Sequence, residues 1–121
     1  MNTFFVGRVR DLNDNDNVYA MTLEHYPGMT EKSLHAIAEQ ARQRWPLNRI
    51  RIIHRVGRML PADQIVFVAA SSPHRQAAFA GVQFIMDYLK TQAPFWKKEE
   101  TPGGSRWVEA KESDEEKAKQ W

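Results

Sequence analysis

Ile50-Arg51-Ile52-Ile53-His54-Arg55-Val56, followed after a short gap (57–63) by Gln64-Ile65-Val66-Phe67-Val68-Ala69-Ala70-Ser71-Ser72-Pro73, decides the fold class. The first segment alternates apolar and polar positions, and the second is a continuous apolar run, so both read as strands with no helical pattern between them. The unbroken run over 64–71 implies a strand covered on both faces. Ser72-Pro73 then reads as a helix start, a capping serine followed by proline at the first helical position. That helix extends to about Lys90, with Ala78, Val82, Ile85 and Leu89 on one face. Gly81 inside it costs about 1 kcal/mol relative to alanine, which points to close approach by another backbone.

Working outward, Phe4 to Arg10 reads as a short strand and Asp11 to Asn17 as a polar, turn-rich loop. Val18 to Tyr26 alternates through Tyr19, Met21 and Leu23 as a half-buried strand and ends at Pro27-Gly28. Thr30 reads as the N-cap of a helix to about Trp45, with Glu31 in its first turn, an apolar stripe of Leu34, Ile37, Ala38, Ala41 and Trp45, and Pro46 as its stop. Past the second helix, 95–101 and 105–110 form a hairpin through Pro102-Gly103-Gly104. The tail 111–121 is a helix or a loose end. Strands that follow one another without intervening helices predict an α+β fold, with a mostly antiparallel sheet, two long helices and a C-terminal hairpin.

A chain of 121 residues makes one domain. Its longest apolar run is far too short to span a membrane, and 1–8 lack the apolar core of a signal peptide, so a cytoplasmic protein is expected. There is no cysteine, which excludes disulfides, thiolate metal sites and a cysteine nucleophile within the chain. A net charge of +2 is too weak to argue for nucleic acid. None of the four histidines shows an i,i+4 pair or an HExxH pattern, so no metal site and no cofactor is expected.

The positive charge is better placed than its total suggests. Lys90 and Lys97 flank the helix-breaking Ala93-Pro94 step, where the chain must turn and can bring one lysine back towards the other. Two ammonium groups held close and partly desolvated have lowered pKa values and suit acid, base or nucleophile work. The plain alternative is a cation at a helix C-terminus followed by a surface strand. His74 and Arg75 sit in the first turn of the second helix, where cations are disfavoured unless an anion binds there; otherwise both point into water. They lie roughly 24 Å from Lys90 at ~1.5 Å per residue, so one site using both ends must form between two copies of the chain. Arg8 and Arg10 share a strand face and can reach a phosphate, or serve as charged guards on a sheet edge. Phe95, Lys97 and Glu99 also share a face, so Glu99 either holds Lys97 through an ion pair or forms an ordinary surface pair. His54 shares its face with Ile50, Ile52 and Val56 and reads as a satisfied core histidine.

These residues also fall into motifs. Phe5-Val6-Gly7-Arg8-Val9-Arg10, Leu23-Glu24-His25-Tyr26-Pro27-Gly28-Met29, Ser72-Pro73-His74-Arg75 with Phe79, Asp87-Tyr88-Leu89-Lys90 and Pro94-Phe95-Trp96-Lys97-Lys98-Glu99 stand in one order along almost the whole chain. In this the sequence resembles the large, catalytic subunits of molybdopterin synthases. The resemblance implies an α/β-hammerhead-like fold and a homodimer carrying a small ubiquitin-like subunit at each end, a heterotetramer. It implies sulfur transfer from the small subunit's Gly-Gly thiocarboxylate to cyclic pyranopterin monophosphate (precursor Z), forming the dithiolene of molybdopterin. On the same basis Lys90 and Lys97 are the catalytic lysines. Arg10, His74, Arg75, Phe5, Met86 and Lys111 bind substrate, with His74 and Arg75 supplied across the dimer, and Glu99 supports Lys97. Lys111 stands where relatives often carry arginine. Relatives usually carry an N-terminal segment ahead of the first motif, so 1–121 is expected to be the catalytic domain without that extension. Two other readings are a scaffold that binds the small subunit without turnover, and a basic nucleic-acid module; convergent Lys90, Lys97, Arg10, His74 and Arg75 favour the enzyme, and aromatics on core faces disfavour the module.

Overall fold

The computed structural model describes residues 1–13, 16–108 and 112–121. Its elements are β1 (Asn2–Arg8), β2 (Leu12–Asn13), β3 (Asp16–Asn17), β4 (Ala20–His25), α1 (Met29–Arg44), β5 (Ile50–His54), β6 (Gly57–Met59), β7 (Gln64–Ser71), α2 (Arg75–Thr91), β8 (Phe95–Thr101), β9 (Gly104–Val108) and α3 (Glu112–Lys119). The strands make an antiparallel sheet in the order β1-β7-β5, a second in the order β6-β4-β8-β9, and a two-stranded ladder of β2 and β3. This is the α+β class expected, with a third helix at the C-terminal end.

The inner face of the first sheet carries Val66, Val68 and Ala70, which join Ile37 and Ala41 of α1 and Val82, Phe84, Ile85 and Leu89 of α2 in the main core. A smaller core of Val9, Met21, Leu23 and Met59 lies against the second sheet. The expectation that 64–71 is covered on both faces is corrected: Val66, Val68 and Ala70 are buried, but Ile65, Phe67 and Ala69 are only half-buried. Phe4, largely exposed, stacks on Phe67 from β1 at 6.0 Å and supplies part of the cover on that outer face. An apolar run cannot distinguish full burial from one buried face plus a layer of its neighbours' side chains.

Both helix starts differ from the sequence reading. Gly28, with φ +86°, caps α1, and its N–H donates to Glu31 Oε2 at 2.6 Å. Thr30 lies inside the first turn instead, its hydroxyl donating to the Tyr26 carbonyl at 2.8 Å. Ser72 is fully buried and donates to the Pro46 carbonyl at 2.8 Å, while accepting from the His74 N–H at 3.1 Å. Its hydroxyl therefore closes a turn ahead of the helix, and α2 begins at Arg75 with His74 as the cap. Gly81 accommodates a side chain rather than a backbone: a Cβ built there would lie 2.8 Å from Leu47 Cδ1. Leu47, on the turn that follows α1, thus packs directly on α2.

The C-terminal residues are fastened to the main core. Trp121 packs edge-on against Trp45 at 5.3 Å and Phe84 at 5.8 Å, its indole N–H donates to Asp87 Oδ2 at 2.7 Å, and its main-chain oxygen accepts from Arg44. This anchor holds α3 alongside α2. None of the helices among the described residues is long and apolar enough to cross a membrane.

Candidate active site

A cavity of about 570 Å³ opens where the two cores meet, bounded by β1, the end of α2, β8 and α3. Each wall has a local cause. The β1–β7 register shifts between Gly7 and Arg8, and Val9 then hydrogen bonds to the Asp63 carbonyl at 2.9 Å. This irregularity turns the chain so that Arg8, Val9 and Arg10 all line the cavity. Arg8 is partly committed there, donating to the Ala62 carbonyl at 3.0 Å. The second wall follows from Pro94, which ends the path of α2 and sends the chain into β8. Lys90 and Lys97 both line the cavity as a result.

The arrangement perturbs Lys97. It is exposed by area, yet loss of hydration against the cavity walls is the largest influence on its ammonium, pushing it below the usual lysine range. The like charge of Lys90, and more weakly that of Arg10, acts in the same direction, while Asp114 and Glu99 oppose it. Lys90 Nζ lies 3.8 Å from Asp114 Oδ1 on α3. Phe5 and Met86 provide apolar wall, as expected.

Glu99 does not make the direct ion pair with Lys97 that the sequence left open. It is buried at 6% exposure, accepts from Asn13 Nδ2 at 3.0 and 3.2 Å, and accepts from Arg106 at 3.3 Å. It acts on Lys97 through charge while tying β8 to β2 and β9. His74 and Arg75 are exposed at the far end of α2 and do not line this cavity within one chain. Lys111 lies outside the described residues.

Asn13, His54, Asp114 and Lys117 are among the cavity residues that escaped the sequence reading. Asn13 and Asp114 are contributed by segments with no motif, so only the folded contacts reveal them. His54 is corrected from a core residue to a cavity wall: half-buried, it stacks on Phe95 at 4.0 Å with 20° between the rings. Its place on the face of Ile50 and Ile52 was the available signal, since that face ends at the cavity.

The family model described as "MoaE protein" matches residues 2–92. The chain is 62% identical over 117 residues to the molybdopterin synthase catalytic subunit of Escherichia coli (strain K12), covering 97% of this chain and 78% of that protein. It is 61% identical over the same length to the Pseudomonas aeruginosa protein of that name, with the same coverage. Among solved structures, the molybdopterin biosynthesis MoaE protein of Burkholderia ambifaria MC40-6 superposes with a TM-score of 0.82 at 57% identity, covering 99% of this chain and 78% of that one. Molybdopterin synthase from Staphylococcus aureus superposes with a TM-score of 0.84 at 32% identity, covering 89% and 79%. Matched by the family model over most of its length and by these relatives over nearly all of it, the chain belongs to the MoaE family.

Proposed function

We propose that the chain is the catalytic subunit of a molybdopterin synthase, a cytoplasmic sulfurtransferase that moves sulfur from the thiocarboxylated C-terminus of a small ubiquitin-like partner to cyclic pyranopterin monophosphate. The observation that carries the reading is the convergence of Lys90, Lys97 and Arg10 on one cavity whose remaining wall includes Phe5 and Met86. Both reactants are anionic where they meet, one at a thiocarboxylate and one at a cyclic phosphate. A partly desolvated cavity with this cation set stabilises both charges more strongly than water would. Arg10 offers a planar donor fork suited to phosphate, and the apolar residues suit the flat pterin. Lys97, with its lowered pKa, gives or takes a proton more readily than an ordinary lysine, while Lys90 can stabilise charge on the acyl oxygen.

His74 and Arg75, at the opposite end of α2, fit this reading if a second copy of the chain brings them to the cavity. The exposed imidazole and guanidinium at that helix start then meet the substrate's anionic groups. A homodimer with one small subunit on each copy would supply two such composite sites.

The test is reconstitution. Purified chain, thiocarboxylated small subunit and precursor Z should yield the dithiolene only when all three are present. Partner binding without any dithiolene would instead support the scaffold reading.

A further inference from the structure

His54 lines the same cavity, and the sulfur-transfer reading above gives it no task. Its Nδ1 lies 2.9 Å from the main-chain oxygen of Arg55. A carbonyl only accepts, so Nδ1 carries the hydrogen and the distal Nε2 is left as the acceptor. Nε2 has no hydrogen-bond partner among the described residues. The Phe95 stack fixes the plane of the ring. A basic nitrogen on a cavity wall, oriented through its other nitrogen by a third group, has the construction of a general base.

The surroundings keep that nitrogen available. Burial, with Lys97 and His25 nearby, disfavours the imidazolium and pushes it below the usual histidine range, despite the opposing hydrogen bond to Arg55. The charged and titratable groups around it are Lys97 and Glu99 on β8, His25 on β4, Lys90 on α2, Asp114 and Lys117 on α3, and Arg8 and Arg10 at the end of β1 and just beyond it. Both carboxylates are engaged, Glu99 by Asn13 and Arg106 and Asp114 by Lys90.

On the sulfur-transfer reading, on which this inference rests, one step requires such an acceptor. Once the thiocarboxylate sulfur has bonded to a pterin carbon, it remains acylated to the small subunit. Water must release it: the water oxygen bonds to the acyl carbon, the carbon–sulfur bond to that acyl group breaks, and sulfur leaves as a thiolate on the pterin. The small subunit is left with a C-terminal carboxylate. Two protons are lost, one from the attacking water and one when the new carboxyl group ionises to solvent. We propose that His54 Nε2 takes the first proton and is the general base of acyl cleavage.

The experiment follows single turnovers of the full chain with thiocarboxylated small subunit and precursor Z, reading intact masses as well as dithiolene. His54→Gln should slow appearance of the carboxylate-ended small subunit by about 10²–10⁴-fold, the usual contribution of a general base. It should accumulate the small subunit–pterin thioester, and the cleavage step should lose the acid limb of its pH profile. His54→Ala should regain cleavage when imidazole is added. Cleavage by His54→Gln at the wild-type rate with the acid limb retained would overturn the proposal, as would slow turnover without the adduct and without imidazole rescue. Nitrogen-15 spectra of the wild-type histidines provide a readout independent of any variant and of turnover. An Nδ1–H tautomer for His54 is expected, and an Nε2–H tautomer at pH 7 would overturn the proposal. A wild-type chain that forms no dithiolene would overturn the sulfur-transfer reading itself, and this proposal with it.

Discussion

Replacing Trp121 by phenylalanine isolates the fastening of α3 beside the cavity. The substitution keeps an aromatic ring between Trp45 and Phe84 but withdraws the N–H that reaches Asp87 Oδ2 at 2.7 Å. Asp87 is only 8% exposed, so water replaces that donor poorly. A hydrogen bond to a charged group contributes ~1.5–3 kcal/mol, with a penalty of similar size for leaving the acceptor buried and unpaired. The smaller ring forfeits roughly 1 kcal/mol more, if about 40 Å² of apolar surface is lost at ~25 cal/mol per Å². Because Trp121 itself is half-buried, the lower part of the range applies, and we expect a loss of about 2–3 kcal/mol. Urea unfolding at one fixed protein concentration would show this as a midpoint lowered by roughly 1 M or more, for a slope near ~2 kcal/mol per M. A cycle with Asp87→Ala should return a coupling of about 1.5 kcal/mol or more. A Trp121→Phe chain within ~0.5 kcal/mol of wild type would refute the argument, because surface changes commonly fall in that range.

Further outcomes follow from the cavity. Lys97 should be modified by reductive methylation at lower pH than the other lysines, and Lys90→Ala should move its titration up towards ~10.4; an unmoved titration would contradict the electrostatic coupling. Since the folded pKa of Lys97 lies below the unfolded one, the unfolded chain binds more protons between the two values. Stability should therefore rise with pH across that interval, a contribution that Lys97→Met should remove from the pH dependence of urea midpoints. Lys90→Ala should abolish dithiolene formation while leaving the circular dichroism spectrum unchanged. Combining His74→Ala with Lys90→Ala subunits should restore part of the activity through one complete composite site, and mixed dimers without recovery would argue against sharing across the interface.

The paired lysines were legible because Pro94 dictates a turn from covalent geometry alone, and a turn there sets Lys97 back towards Lys90. The two long helices were legible from their stripes, whereas their first residues were not. Thr30 and Ser72 both have capping chemistry, but each hydroxyl is spent on a carbonyl, that of Tyr26 or Pro46. Only folding brings the Pro46 carbonyl into reach of Ser72. β6 was missed since Gly57-Arg58-Met59 is too short to show alternation, and β4 supplies its pairing. Asp114 and Asn13 reach the cavity through contacts distant in sequence, which local periodicity does not encode. His54 was correctly placed on a sheet face, but the sequence could not show that this face ends in a cavity rather than in packed core.

One helix carries Met86, Leu89 and Lys90 on the cavity wall at one end and His74 with Arg75 at its other end. It therefore acts as a ruler. A single residue inserted between those ends would turn one relative to the other by about 100° and lengthen the span by ~1.5 Å, misaligning every group at the far end together. The turn at 102–103 between β8 and β9 lies outside the cavity lining, and added residues there displace none of those groups. Length variation among functional relatives should accordingly be absent from α2 and tolerated at that turn, a pattern set by the phase of one helix rather than by any side chain in it.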